Sequence, residues 1–384
     1  MALTEQVPDF FELGPIRPPS EAYSLLIRTT RNCPWNRCKF CHTYKGEKFQ
    51  LRPVAEIKQD ILAVKAIQDR LKEISEHSDY GGNVKEIARV ILNNPPNQAY
   101  FNVALWLYAG GENVFLQDAN SLIMRTNDLV EVIRFLKQTL PSINRITSYA
   151  RSKTAAKKKL EELRELYEAG LSRLHIGLES GYDPLLEYMD KGVTAAEQIE
   201  GGKKIVASGI SLCEYVILGL GGKKMWRQHA IETTKVLNEI EPDFIRIRTL
   251  TIHGGMPLYQ ELKEGSFIQS TDEEVIAEEK LFIEHLECHS NYVSDHITNL
   301  LQELEGKLPQ DKEKMLAIIN KFQELPPQEK TNFIVGRRAG FYVNLDELAN
   351  PRKHQAVEQI INKLSQNSSP ISNETIQKLK ESFI

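Results

Sequence analysis

Between residues 113 and 250 the chain alternates two rhythms: short β-prone apolar runs, and longer stretches whose apolar residues recur three and four positions apart, with glycine at several joins. The rhythm predicts strands at 113–117, 145–149, 173–178, 211–218 and 244–250. It predicts helices at 127–139, at 155–169 closing on Gly170, at 183–190, at 195–208 closing on Gly209, and at 226–239. Upstream, the run 23–29 reads as one more strand, and apolar residues at 54, 57, 61, 62, 64, 67, 71 and 74 behind Arg52-Pro53 read as a helix. Residues 79–98 hold Gly81-Gly82, Asn93-Asn94 and Pro95-Pro96, a turn-rich insertion around a short helix; a further helical stretch, 98–108, stops at Gly110-Gly111.

Strands alternating with helices at this spacing imply βαβ units and a parallel sheet. Six such strands fall short of a closed eight-stranded barrel, and nothing after residue 256 supplies two more. The expected fold class is therefore α/β, an open (β/α)6 partial TIM barrel of parallel strands with a mainly helical C-terminal extension. Residues 1–20, rich in proline, read as an extended arm, 21–256 as the core, and 257–384 as the extension. Within the extension, helices are expected at 272–290, 291–304 and 311–323. Gly336-Arg337-Arg338-Ala339-Gly340 reads as a loop that is either solvated or able to bind an anion, and 365–373, rich in serine and asparagine, as a flexible stretch before a weak final helix.

Composition narrows the class. Apolar residues at 41% and charged residues at 26% of 384 are ordinary for a globular protein, and no apolar run reaches the roughly 18 residues of a membrane span. The opening residues show no basic segment followed by an apolar core, so a cytoplasmic location and reduced cysteines are expected. A net charge of −4 without a Lys/Arg block gives no electrostatic reason to favour nucleic acid over a small-molecule substrate.

The strand at 23–29 runs into Cys33-Pro34-Trp35-Asn36-Arg37-Cys38-Lys39-Phe40-Cys41, three of the five cysteines of the chain. A tetrahedral zinc would need a fourth ligand, for which His42 is adjacent. An iron–sulfur cube on three cysteines instead leaves one iron open for another molecule. Cys213 and Cys288 stand alone, too few for a second cluster, and read as buried apolar cysteines.

The C-x4-C-x2-C spacing with Phe40 before the last cysteine resembles the cluster loop of the radical S-adenosylmethionine (radical SAM) enzymes, in a longer-gapped variant of their usual C-x3-C-x2-C. The resemblance extends over about residues 21–256. It implies that Cys33, Cys38 and Cys41 hold a [4Fe-4S] cluster, that SAM chelates its open iron, and that one electron from a donor such as flavodoxin or ferredoxin cleaves SAM to a 5′-deoxyadenosyl radical that abstracts hydrogen. Gly177-Leu178-Glu179-Ser180-Gly181 and Met189-Asp190-Lys191-Gly192 look like segments of the coproporphyrinogen dehydrogenase and methylthiotransferase branches, where a polar strand end and a basic residue twelve positions later meet SAM; these map onto Glu179 and Lys191. A cationic sulfonium and ammonium need carboxylate acceptors, and SAM's own carboxylate needs a cation. Ile217 matches the apolar residue that lines the adenine, and Phe40 closes the cysteine loop.

The family's GGE motif follows its second strand. Here Gly110-Gly111-Glu112 precedes that strand and reads as a helix stop, while the corresponding position falls on 117–120, leaving Asp118 or Asn120 to take the methionyl amine. Arg151, Arg248 and His253 lie at expected strand ends and are candidate contacts for SAM or a small organic substrate. The substrate and the catalytic residues are not read from the sequence. Two other classes compete: a tRNA-modifying member of the same family, and a non-catalytic iron–sulfur carrier or zinc-stabilised scaffold, which would leave the polar strand ends without a role.

Overall fold

A computed structural model describes residues 9–78, 81–365, 375–376 and 378–379; most of the stretch expected to be flexible at 365–373 lies outside them. Strand β1 (Leu25–Arg28) precedes helices α1 (Val54–Glu76), α2 (Val84–Asn93) and α3 (Gln98–Tyr108). Then come β2 (Asn113–Gln117), α4 (Thr126–Thr139), β3 (Arg145–Ala150), α5 (Ser152–Lys157), α6 (Leu160–Ala169) and β4 (Leu171–Glu179). The alternation continues through α7 (Asp183–Tyr188), α8 (Ala195–Ser208), β5 (Ser211–Leu218), α9 (Gly222–Ile240) and β6 (Phe244–Thr249). The rest is α10 (Leu258–Glu264), α11 (Asp272–His285), β7 (Asn291–Val293), β8 (Glu305–Lys307), α12 (Lys312–Gln323), α13 (Pro327–Arg338) and α14 (Pro351–Ser365). The class is α/β with a mainly parallel sheet, as the alternation implies.

The chain divides into two compact units. The first holds residues up to Asn36, Thr43–Ile176 and Glu200–Leu212; the second holds Arg37–His42, Gly177–Ile199 and everything from Cys213 on. In the first unit β1 pairs in parallel with β2 (Leu25↔Val114 to Arg28↔Gln117), β2 with β3, and β3 with β4. One face of these strands is apolar and sealed by Val114, Leu116, Ile146, Leu174 and Ile176. The other face carries the rings of Phe115, Tyr149 and His175 in edge-to-face contact, 5.0 to 6.3 Å between centroids. Gly110 and Gly111, with φ of 112° and 72°, end α3, and the Gly111 N–H returns to the Trp106 carbonyl at 2.9 Å. This is the helix stop expected of those glycines.

In the second unit β5 and β6 pair in parallel from Cys213↔Phe244 to Leu218↔Thr249. That register puts Tyr215, Ile217, Arg246 and Arg248 on one face and the buried Val216, Leu218, Ile245 and Ile247 on the other. Beyond residue 256 the structure departs from the expectation in three places. The helix expected at 291–304 is instead β7, which extends the sheet parallel to β6 (Ile245↔Tyr292), followed by a loop and the antiparallel β8. Asn291-Tyr292-Val293 is β-prone, and an open strand edge supplies the partner that residue patterns do not reveal. The first helix ends at His285 rather than 290.

The third departure concerns Arg337 and Arg338, expected in a loop. They form the last turn of α13 and are buried. Arg337 donates to the carbonyls of Leu300, Asn299 and Tyr342, and Arg338 to the Asp272 carboxylate and the Thr298 carbonyl. They hold the extension together and have no fork left for an anion. In the first unit, the helix expected at 155–169 is two, because Lys158 turns extended and sends its ammonium to the Met124 carbonyl and the Thr126 hydroxyl. Among the described residues no helix is long and apolar enough to cross a membrane.

Candidate functional site

The cysteine loop begins in the first unit and ends in the second. On the first side, Asn32 adopts a left-handed φ of 67°, and its N–H donates to the Asp118 carboxylate at 3.2 Å. Asp118 is fully buried and also accepts from Arg28 Nε and Nη2 at 3.1 and 2.7 Å and from the Tyr44 hydroxyl. Burial, the Asp118 charge and this hydrogen bond keep that hydroxyl protonated. Asp118 thus sets the path by which β1 enters the loop. Asn120 accepts from the Arg151 N–H at 3.2 Å and donates to the Thr154 hydroxyl at 2.9 Å. The Arg151 guanidinium lies 5.1 Å over the Trp35 ring. Cys33 Sγ accepts from the Asn36 N–H at 3.4 Å. An open cleft of about 510 Å³ beside Asn32 is lined by Arg28, Arg31 and Lys48 among others.

On the second side the loop is strapped down at both backbone and side chain. The Lys39 N–H donates to the Met189 carbonyl and the Leu258 N–H to the Lys39 carbonyl, each at 3.0 Å. Lys39 Nζ pairs with Glu261 at 2.8 Å and sits over the Tyr188 ring, and Arg37 pairs with Asp190. Phe40 packs against the buried cluster of Leu185, Met189, Leu250 and Ile252. Above it, Lys191 Nζ lies 5.6 Å from the ring centre and 3.0 Å from Glu179 Oε1. Both members of that ion pair are about seven-eighths buried, with side-chain exposures of 12% and 13%. The geometry depends on two neighbouring backbone choices. Glu179 takes a left-handed φ of 65°, and its carboxylate folds back over Gly177, where a Cβ would meet Oε1 at 2.0 Å and Lys191 Nζ at 3.1 Å.

A buried network carries Glu179's neighbour to the turn after β5. The His229 Nε2–H donates to the Ile217 carbonyl at 3.0 Å, so Nδ1 is the acceptor that meets the Ser180 hydroxyl at 2.9 Å. From α11, Glu278 accepts from the Gly219 N–H at 2.8 Å. Burial lowers His229 to about 4 and raises Glu278 to about 8, so at neutral pH an uncharged imidazole and an uncharged acid support this turn.

Two features of this unit escaped sequence reasoning. His42 and His253, singled out for separate roles, meet edge-to-face with ring centres 4.2 Å apart, and burial and then the His253 charge lower the His42 pKa. Glu214 in β5 is fully buried, and neither of its oxygens has a hydrogen-bond partner among the described residues. Burial, with Glu179 adding and Lys191 opposing, raises its pKa well above the usual carboxylate value. The signal in the sequence was a lone acid inside the apolar run Leu212–Leu218.

The five cysteines fall into two groups. Cys33, Cys38 and Cys41 are partly exposed and form no disulfide, while Cys213 and Cys288 are buried, and burial raises the Cys288 thiol. Among the described residues no three His, Cys, Asp or Glu side chains converge as one metal ion would require. In a cube each thiolate takes a different iron, and three reachable thiols are a donor set that leaves one iron open. The residues present therefore fit the cluster that the resemblance implies.

The Radical SAM superfamily model matches residues 27–234, more than half of the chain. An uncharacterized protein of Methanocaldococcus jannaschii is 30% identical over 131 residues, 34% of this chain and 40% of that protein. A tRNA uridine(34) acetyltransferase of the same organism is 23% identical over 117 residues, 30% of this chain and 22% of that enzyme. The chain thus matches less than half the length of these relatives. Among solved structures, methylornithine synthase aligns over 79% of this chain and 82% of its own at 15% identity, with a TM-score of 0.42.

Proposed function

Because the chain belongs to the Radical SAM superfamily, whose cofactors are a [4Fe-4S] cluster and SAM, we propose that Cys33, Cys38 and Cys41 hold the cluster and that the enzyme abstracts hydrogen from a small organic substrate. The carrying observation is the division of the cysteines, three reachable thiols on one loop against two sealed in the interior. When bound, cluster and SAM supply the one-electron cleavage of SAM and the hydrogen abstraction. The electron would come from a donor such as flavodoxin or ferredoxin.

The protein's own part is binding and exclusion of water. Lys191 offers an ammonium to the carboxylate of SAM, and Glu179 accepts from its ribose hydroxyls or ammonium. The 3.0 Å pair they make with each other holds both in place before SAM arrives. Phe40 and Ile217 supply apolar wall. Asp118 and Asn120, at the position proposed for the methionyl amine, accept from the Asn32 and Arg151 N–H groups, and Arg151 lies over Trp35 on the cysteine loop. Residues 257–384 would act as cover over the reacting groups, a role barrel enzymes commonly give to material beyond their strand ends.

Glu179→Ala and Lys191→Ala should each weaken SAM binding by about 1–3 kcal/mol, the cost of losing one charge-assisted contact, while iron content stays at the wild-type level. Equilibrium binding of SAM to anaerobic protein measures this. Unchanged affinity in both variants removes them from the site.

A second reading, a tRNA substrate, is favoured by the 117-residue likeness to a tRNA uridine(34) acetyltransferase. The net charge of −4 opposes it, because phosphate neutralisation dominates polynucleotide affinity. Salt-sensitive, tight binding of bulk tRNA by the intact protein would put that reading first.

A further inference from the structure

We propose that Arg248 is the receptor for an oxyanion, a carboxylate or phosphate, carried by the small substrate. The inference rests on the reading of the strand ends as the substrate site. β6 presents two arginines on the face shared with Tyr215 and Ile217, and their environments differ. Arg246 is answered by the Asp295 carboxylate at 2.7 Å. Arg248 has no carboxylate among the described residues: it is half-buried between the Tyr215 ring, 5.0 Å from its guanidinium carbon, and His296 Nε2, 3.3 Å from Nη1.

A histidine nitrogen that accepts from a guanidinium carries no proton, so His296 orients Arg248 without cancelling its charge. The support behind it is itself hydrogen-bonded. His296 Nδ1 meets the Thr298 hydroxyl at 2.7 Å, and the Thr298 carbonyl is held by the buried Arg338 at 2.9 Å. Only Nη1 of Arg248 has a hydrogen-bond partner among the described residues, which leaves the Nε and Nη2 edge for a ligand. That edge presents two parallel N–H donors, the fork that matches a carboxylate or phosphate in bidentate contact. The ring of Tyr215 on one side keeps the cation without an anion by cation–π attraction, at less strength than a paired oxyanion would give. The location is also where parallel α/β strands gather substrate: Arg248 is the penultimate residue of β6, at its C-terminal end. Thr251, three residues further on, holds a buried hydroxyl with no partner among the described residues, a second polar group to satisfy near the same strand end.

The test uses the cluster-reconstituted full chain and fluorine NMR line broadening with three probes: 4-fluorobenzoate, monofluorophosphate, and the neutral 4-fluorobenzamide. Wild type should broaden at least one of the two anions saturably and leave the amide sharp; which anion responds assigns carboxylate or phosphate. Arg248→Gln should bind the responding anion about tenfold more weakly or worse, the loss of roughly 1.4 kcal/mol or more. Arg248→Lys, which keeps the charge but not the fork, should fall between the two and covers the case in which the glutamine variant does not fold. Wild-type protein that broadens neither anion, or a folded Arg248→Gln that binds as wild type does, overturns the inference. SAM cleavage by the wild-type protein is followed separately. If it occurs without Arg248-dependent anion binding, the anion receptor is wrong and the family chemistry stands; if it does not occur, the reading of the site fails whatever the anion titration shows.

Discussion

Replacement of Cys33, Cys38 or Cys41 by alanine is expected to abolish the iron–sulfur absorption of the anaerobically reconstituted protein in all three cases, while Cys213→Ala and Cys288→Ala keep it. A cube on three protein thiolates has no spare ligand, since the fourth iron is left for SAM, so each loss removes a third of the protein's hold on it. The two other cysteines cannot substitute. Cys213 is 1% exposed within β5 and Cys288 fully buried after α11, and burial raises the Cys288 thiol away from the thiolate form that ligation needs. Visible absorption and iron content of the five variants are the measurement. Loss of iron in Cys213→Ala or Cys288→Ala would overturn the ligand assignment.

The largest expected effect on stability lies far along the chain. Arg338→Ala should destabilise the protein by about 3–5 kcal/mol, because it takes the guanidinium away from the buried Asp272 carboxylate. Asp272 and Arg338 have side-chain exposures of 7% and 3% and meet through two nitrogens at 2.5 and 3.2 Å. The Thr298 carbonyl loses its donor as well. The double variant Arg338→Met with Asp272→Leu should recover much of the loss, since removing both members of a buried pair leaves no uncompensated charge. Urea unfolding of the three proteins measures it. A cost within the range of an exposed ion pair, about 0–1 kcal/mol, would show that this contact does not hold α13 to α11.

The parallel strands were legible because each is a short apolar run bounded by turns or helix stops. The ranges expected for β2 and β5 coincide with those observed, and β3 and β6 differ by one residue. Such runs carry their own signal, since strands sealed on one face by helices need continuous apolar residues there. β7 was not legible: its three residues become a strand only because the edge of β6 is open to them, a fact of tertiary pairing. Arg337 and Arg338 failed for a similar reason. Two glycines flank them, which suggests a loop, and nothing local records that the carbonyls of Thr298, Asn299 and Leu300 and the Asp272 carboxylate await them from distant segments.

For the candidate site, residue types were readable and partnerships were not. Glu179 and Lys191 stood out by resemblance as two separate contacts, but their mutual ion pair follows from a left-handed backbone at a glutamate, a conformation that only glycine would have advertised. Asp118 stands out in the sequence only by its place after the second strand. Its buried engagement with Arg28, Tyr44 and Asn32 needed the fold.

The central claim is that this chain cleaves SAM at a cluster on Cys33, Cys38 and Cys41, and the most direct measurement is 5′-deoxyadenosine release by the anaerobically reconstituted wild-type protein given SAM and a strong one-electron reductant. The account predicts release that requires SAM, reductant and all three cysteines together. Protein that holds a full cluster and binds SAM yet releases no 5′-deoxyadenosine would contradict it and leave an iron–sulfur carrier in its place.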